Sequence, residues 1–81
     1  MSEQERLNDH TERAINELDD IVAIWVSNGI DWRAIFVALA TYHSYYGRQI
    51  GEKVGGVYLM KLQDAADRMA NDMLKKQALP K

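Results

Sequence analysis

Residues 21–46 read IVAIWVSNGIDWRAIFVALATYHSYY, and this stretch decides the fold. Its first apolar run, 21–26, is followed by the Asn-Gly pair 28–29, residue types that tolerate the left-handed conformation in which helices end. Asp31 comes directly afterwards, and its carboxylate can cap a helix that begins at Trp32. The stretch therefore predicts two helices joined by a very short turn, which makes them antiparallel neighbours.

The first helix extends back from this turn to the N-terminus, over about residues 2–28. Ser2 and Glu5 have the spacing of a capping box, in which a hydroxyl and a carboxylate satisfy free backbone N–H groups. Apolar residues recur at helical spacing. They are Leu7, Ala14, Leu18, Ile21 and Trp25. Because the run 21–26 is apolar on all sides, we expect the end of this helix to be deeply buried.

The second and third helices are predicted over about residues 32–50 and 57–76, with a tail at 77–81. Between them, GRQIGEKVGG (47–56) holds four of the five glycines. Three of these follow a spacing of four residues, but the charged residues between them favour a frayed helix end followed by a loop. The pair Gly55-Gly56 is the expected break. We find no internal repeat and no convincing strand.

Length and composition allow one domain, residues 1–81, and exclude several classes of protein. The chain has 81 residues, is 47% hydrophobic and contains no cysteine, which excludes a disulfide scaffold, a thiol nucleophile and a zinc site built from cysteine. No stretch approaches the roughly 18 apolar residues of a membrane helix. The polar start, MSEQERLNDH, lacks the apolar core of a signal peptide. We therefore expect a cytoplasmic protein with no membrane partner.

The middle helix carries more apolar surface than two neighbours can cover. From Ala34 to Tyr42 the only polar side chain is that of Thr41, and a helix that is apolar on most sides must be covered on most sides. So short a chain also gains little net stability from its own core. We therefore expect an all-α, three-helix antiparallel bundle, completed by homodimerisation through the middle helix. The expected dimer interface contains Trp32, Phe36 and Leu39.

Charge divides the chain into an acidic and a basic part. Residues 1–31 hold eight acidic side chains and two arginines, a net charge of −6, whereas residues 32–81 carry a net charge of +4. One interpretation is that an acidic first helix lies against a basic last helix, within one domain or across a dimer. The other is that the basic part faces an acidic partner.

The sequence offers no arrangement typical of catalysis, so we expect no enzyme, no catalytic residues, no cofactor and no metal site. His10 lies in the polar N-terminal stretch, and His43 has no further ligand at helical spacing. We expect His43 to be partly buried and hydrogen-bonded. Ser44 adjoins His43, but adjacent helix residues point about 100° apart and do not form a nucleophile–base pair.

Aromatic and basic residues cluster around the second bend. Tyrosine and arginine are favoured in interfaces because they combine a large contact area with a polar group. Alternatively, the tyrosines are core residues whose hydroxyls reach the rim, or the set stacks on and neutralises a nucleic acid. The candidate partner-binding residues are Tyr42, Tyr45, Tyr46, Arg48, Lys53 and Tyr58.

These observations favour a protein–protein interaction module or small regulator. The composition is similar to that of small acidic helical proteins of bacteria and phages, many of which are accessory factors or inhibitors. The alternative is a small helix-turn-helix-like DNA-binding regulator that uses the basic C-terminal half. The candidate recognition helix, however, begins with the apolar residues 57–60, and the sequence pI is near 5.6 rather than above 9.

Overall fold

The computed structural model describes residues 2–78, which contain three α-helices and no strand. Helix α1 spans Glu3–Ser27, α2 spans Trp32–Val54 and α3 spans Gly56–Ala78. The predicted all-α class and the number of helices are therefore confirmed. The antiparallel bundle and the homodimer stay predictions. The predicted tail begins too early, because residues 77 and 78 belong to α3, and residues 79–81 lie outside the described part.

The predicted capping box begins α1. Ser2 has extended backbone angles, and its hydroxyl oxygen accepts a hydrogen bond from the backbone N–H of Glu5 at 3.1 Å. In return, the carboxylate of Glu5 accepts one from the backbone N–H of Ser2 at 3.4 Å. Two N–H groups that the first turn would leave unpaired are thus satisfied.

The turn between α1 and α2 is a Schellman motif. Gly29 has φ of +80°, the left-handed conformation, and its N–H donates to the carbonyl of Val26 at 3.0 Å. The N–H of Ile30 donates to the carbonyl of Trp25, also at 3.0 Å. These two bonds satisfy the last free carbonyls of α1, so the predicted stop signal is confirmed, with the glycine of the pair in the left-handed position.

Asp31 caps α2, as predicted. Its Oδ1 accepts a hydrogen bond from the backbone N–H of Arg33 at 2.8 Å and another from the Arg33 Nε at 3.0 Å. The second carboxylate oxygen accepts from Nη2 of the same guanidinium at 2.6 Å. Both the guanidinium and the backbone N–H favour the charged carboxylate, so they lower the pKa of Asp31, while the pKa of Arg33 is raised.

Helix α2 continues four residues beyond the predicted end near residue 50. Residues 47–54 are helical, and the break falls at Gly55, which alone separates α2 from α3 and has φ of +86°. The expectation of a frayed helix end near residue 50, followed by a loop, was wrong, because residues 51–54 continue the helix. The helix continues past residue 50 because this part of α2 packs on α3, where the side chain of Leu59 lies close to Gly51.

Two contacts join the end of α2 to α3. A Cβ atom placed on Gly51 would lie 3.2 Å from Cδ2 of Leu59, so the missing side chain lets the two helices approach closely at this point. Farther from the bend, Nε2 of His43 and Oε1 of Gln63 are hydrogen-bonded at 2.7 Å. These contacts offset the low helix propensity of the glycines.

The chain divides into two compact units, Met1–Ala40 and Thr41–Lys81. Within the first unit, α1 meets the beginning of α2; within the second, the rest of α2 meets α3. Each unit is therefore a helical hairpin. That all 81 residues form one domain stays a prediction.

Burial within the hairpins is sparse. Among the described residues only Ile35 is buried, with 7% of its surface exposed. The deep burial expected for residues 21–26 was wrong, because Val22 and Trp25 are half-buried whereas Ile24 and Val26 are exposed. A single neighbouring helix can cover only one side of α1, and the run 21–26 is apolar on every side.

Three glycine variants should separate helix propensity from backbone strain. Gly47→Ala should stabilise the protein by about 0.5–1 kcal/mol, because a Cβ there meets no atom within 4 Å and alanine favours the helix. Gly51→Ala should stabilise it less, because Leu59 must shift. Gly55→Ala should destabilise it by about 1 kcal/mol or more, since its φ is positive. Urea unfolding followed by circular dichroism measures all three, and a destabilising Gly47→Ala would contradict the account.

The pKa of Asp31 should depend on the side chain of Arg33. Because that pKa is lowered, the carboxylate stabilises the folded state above about pH 4, and this contribution is lost as the pH falls through the lower folded value. Arg33→Met should raise the pKa of Asp31, measured by carboxyl-carbon NMR titration. Arg13→Met is the control, because Arg13 pairs with Glu17, and it should leave Asp31 unchanged.

Candidate interaction surface

The aromatic part of the predicted surface forms a small exposed cluster on α2. Tyr42 and Tyr46, one helical turn apart, stack with ring centroids 5.8 Å apart and an interplanar angle of 14°. The ring of Tyr45 is tilted by 47° against that of Tyr42, at a centroid distance of 6.2 Å. All three side chains are exposed, and Tyr42 retains 62% of its accessible surface. We call these three residues the tyrosine cluster.

The cluster continues toward the end of α2. Nε2 of Gln49 donates a hydrogen bond to the hydroxyl of Tyr45 at 3.1 Å, which fixes the outer edge of the cluster. Lys53 lies seven residues after Tyr46, and both line the same shallow depression, together with Ile50, Glu52 and Val54. The depression therefore combines aromatic and aliphatic side chains with one acidic and one basic side chain.

Arg48 does not belong to that side. It lies two residues after Tyr46, which places the two side chains about 200° apart around the helix. Arg48 instead lines an open groove between α2 and α3, together with His43, Gly51 and Gln63. The structure thus brings together Tyr42, Tyr45, Tyr46 and Lys53 of the predicted set and separates Arg48 from them.

The remaining predicted residues lie on other parts of the helices. Tyr58 is exposed in the first turns of α3. Of the expected dimer interface, Trp32 and Phe36 are 74% and 69% exposed, and Leu39 is half-buried. The assignments of these residues to an interface stay predictions, but Trp32 and Phe36 are accessible to a partner.

His43 is hydrogen-bonded, as expected, but it is exposed rather than partly buried. Its partner, Gln63, and the contact between Gly51 and Leu59 were not predicted from the sequence. The available signal was the spacing of glycines 47, 51 and 55, which was discounted because of the charges between them. Glu52 and Lys53 line the depression beside Tyr46, and Arg48 lines an open groove, so these exposed charges do not prevent Gly51 from meeting Leu59.

Residues 2–78 contain no group of three or more histidine, aspartate or glutamate side chains placed to hold a metal ion. In the same part of the chain, no helix has a long enough apolar stretch to cross a bilayer. The features that stand out are therefore the exposed apolar and aromatic side chains.

Comparison with known proteins adds no family. No protein-family model matches the chain, and no curated protein or solved structure is significantly similar to it. The functional argument therefore depends on the residues themselves.

The tyrosine cluster should contribute little to stability. Because its rings are exposed, Tyr42→Ala and Tyr46→Ala should each cost less than about 1 kcal/mol and preserve helicity. Ile35→Ala should cost about 2–4 kcal/mol, because it removes the one buried side chain among the described residues. Urea unfolding measures the difference. A loss at Tyr46 as large as that at Ile35 would instead support the interpretation of the tyrosines as core residues.

Proposed function

We propose that the chain is a non-enzymatic protein–protein interaction module, a small regulator of the accessory or inhibitory type. The observation that carries this proposal is the contrast between one buried side chain, Ile35, and eighteen exposed large hydrophobic ones within residues 2–78. So many exposed large hydrophobic side chains beside so small a core are unusual for a protein that acts alone, and larger exposed apolar patches typically mark interaction sites.

The tyrosine cluster and Lys53 are the proposed surface for a different protein. Aromatic side chains offer a large contact area at a small cost in conformational entropy, and their hydroxyls supply hydrogen bonds at the rim. Glu52 and Lys53, which line the same depression, would supply charges of both signs at the edge of this contact area. Tyr58, on the first turns of α3, is assigned to the periphery of this surface, whereas Arg48, on another side of α2, is left out of it.

The exposed apolar residues of the first hairpin support self-association as well. Trp32 and Phe36 are one turn apart on α2, and Leu39 continues their stripe. We assign these three residues to a homodimer interface that completes an antiparallel helical bundle. We place the proposed module in the cytoplasm.

A second candidate function is DNA binding by the basic half of the chain. The observation in its favour is that Lys61, Arg68 and Lys75 recur every seven residues along α3, and so lie on one side of it. Against it, the first turn of α3 is apolar where base-contacting side chains are expected, and the chain has a net charge of −2.

Affinity capture tests the proposal. Tagged wild-type protein, incubated with native lysate with and without nuclease, should retain a discrete protein in both cases. Tyr42→Ala/Tyr46→Ala should reduce the recovery at least about tenfold, as expected for central aromatic contacts. Arg48→Ala is the matched control, because it lies on the other side of α2, and it should retain the partner.

The outcomes separate the candidate functions. Recovery that disappears with nuclease, and that falls steeply with salt, would support DNA binding instead. Equal loss in the tyrosine variant and in Arg48→Ala would contradict the assignment of the surface. In each case, circular dichroism must show that the variant keeps the wild-type helicity.

A further inference from the structure

The turn between α1 and α2 contains a chemically reactive pair of residues, Asn28 and Gly29. The side-chain amide of an asparagine can be attacked by the backbone nitrogen of the residue that follows it, which closes a five-membered ring. Glycine in the second position hinders this attack least, because it has no Cβ. The sequence contains this pair once.

The other three asparagines lie in a different setting. Asn8, Asn16 and Asn71 are within helices, and each is followed by an acidic residue. All four asparagines are exposed, so exposure does not distinguish Asn28 from the others. Asn28 differs in the glycine that follows it and in its position outside the helices.

The folded turn holds Asn28 in a conformation that is unsuited to ring closure. Its ψ of 4° places the nitrogen of Gly29 beside the backbone nitrogen of Asn28, whereas ring closure needs the Gly29 nitrogen on the side of Cβ. The N–H of Gly29 is also engaged, because it donates to the carbonyl of Val26 at 3.0 Å. That hydrogen bond retains the proton that the nitrogen must lose before it can attack.

Rotation of the peptide group between residues 28 and 29 would break the Schellman motif. It would withdraw the N–H of Gly29 from Val26, and it would displace Ile30, whose N–H donates to the carbonyl of Trp25 at 3.0 Å. These two bonds close the end of α1. Ring closure therefore requires a local opening of the turn, and its rate follows the fraction of molecules in which the turn is open.

We propose that Asn28 is a site of spontaneous deamidation under the control of the α1–α2 turn, which protects it when closed and releases it when open. The co-reactant is water. A base removes the proton of the Gly29 N–H, and the nitrogen then attacks Cγ of Asn28. The new bond forms as the bond from Cγ to the side-chain nitrogen breaks, and that nitrogen leaves as ammonia. Water opens the resulting succinimide ring at either carbonyl, which gives aspartate or isoaspartate at position 28.

Either product disfavours the closed turn. Isoaspartate carries the backbone through Cβ, so the chain gains an atom and no longer matches the spacing of the two Schellman bonds. Aspartate adds a negative charge at the C-terminal end of α1, where the helix dipole is already negative, and three residues before the carboxylate of Asp31. A molecule that opens and reacts is therefore permanently marked. This inference is independent of the proposed interaction function.

Time courses of deamidation in the folded and the unfolded chain test the proposal. Wild-type protein is incubated in warm, mildly alkaline buffer with and without concentrated urea, and peptide mass spectrometry assigns the conversion at each asparagine. In urea, Asn28 should react at least about tenfold faster than Asn8, Asn16 or Asn71, because glycine follows it. In native buffer, Asn28 should react at least about tenfold more slowly than in urea, because the closed turn dominates.

Two variants of Asp31 separate closure of the turn from the nearby charge. Asp31→Ser and Asp31→Ala both remove the carboxylate, but serine can still cap α2 whereas alanine cannot. In native buffer, Asn28 should react at least about threefold faster in Asp31→Ala than in Asp31→Ser, because loss of the cap frays α2 beside the turn. In urea, the two variants should react at the same rate.

Gly29→Ala is the control for the chemistry. Its positive φ makes alanine strained there, so the turn should open more often, yet Asn28 should react slowly even in urea. The proposal is overturned if wild-type Asn28 reacts equally fast in native buffer and in urea, or no faster than the other asparagines in urea. Equal rates for the two Asp31 variants in native buffer would also overturn it.

Discussion

The structure depends on a constraint of helix packing: one neighbouring helix can cover only one side of another. In the first unit, α1 has 25 residues and a length of about 37 Å, whereas the part of α2 in that unit is only about 13 Å long. Most of the apolar surface of α1 therefore has no counterpart within its own hairpin. The same mismatch exists in the second unit, where α3 is longer than its portion of α2. The exposed side chains follow from this geometry.

Both ends of α1 and the beginning of α2 are the part of the fold that the sequence predicts well, because each is decided by neighbouring residues. Ser2 and Glu5 pair three residues apart, Gly29 ends α1, and Asp31 begins α2 two residues later. Each of these bonds is formed within one turn of the chain. Such local signals can be recognised in the sequence without knowing which helices meet in space.

The burial of side chains and the close approach of α2 to α3 were predicted less well, because both depend on residues that are distant in sequence. The apolar run 21–26 suggests a core, but whether it is buried is decided by how much neighbouring helix exists to cover it. The glycines near the end of α2 suggest a loop, but Leu59 on the next helix makes their side of α2 a packing surface. For the proposed interaction surface, the tyrosines and Lys53 lie along one side of α2, whereas Arg48 is close to them only in the sequence. Its separation from Tyr46 follows from the helical spacing alone.

The shortness of the two connections has a consequence for the rate of folding. Four residues join α1 to α2, and the single residue Gly55 joins α2 to α3. Contacts within each hairpin are therefore local in sequence, and proteins dominated by local contacts fold in microseconds to milliseconds. Assembly with a partner is a bimolecular step whose rate scales with concentration. At low concentration, the hairpins are therefore expected to form before the proposed association.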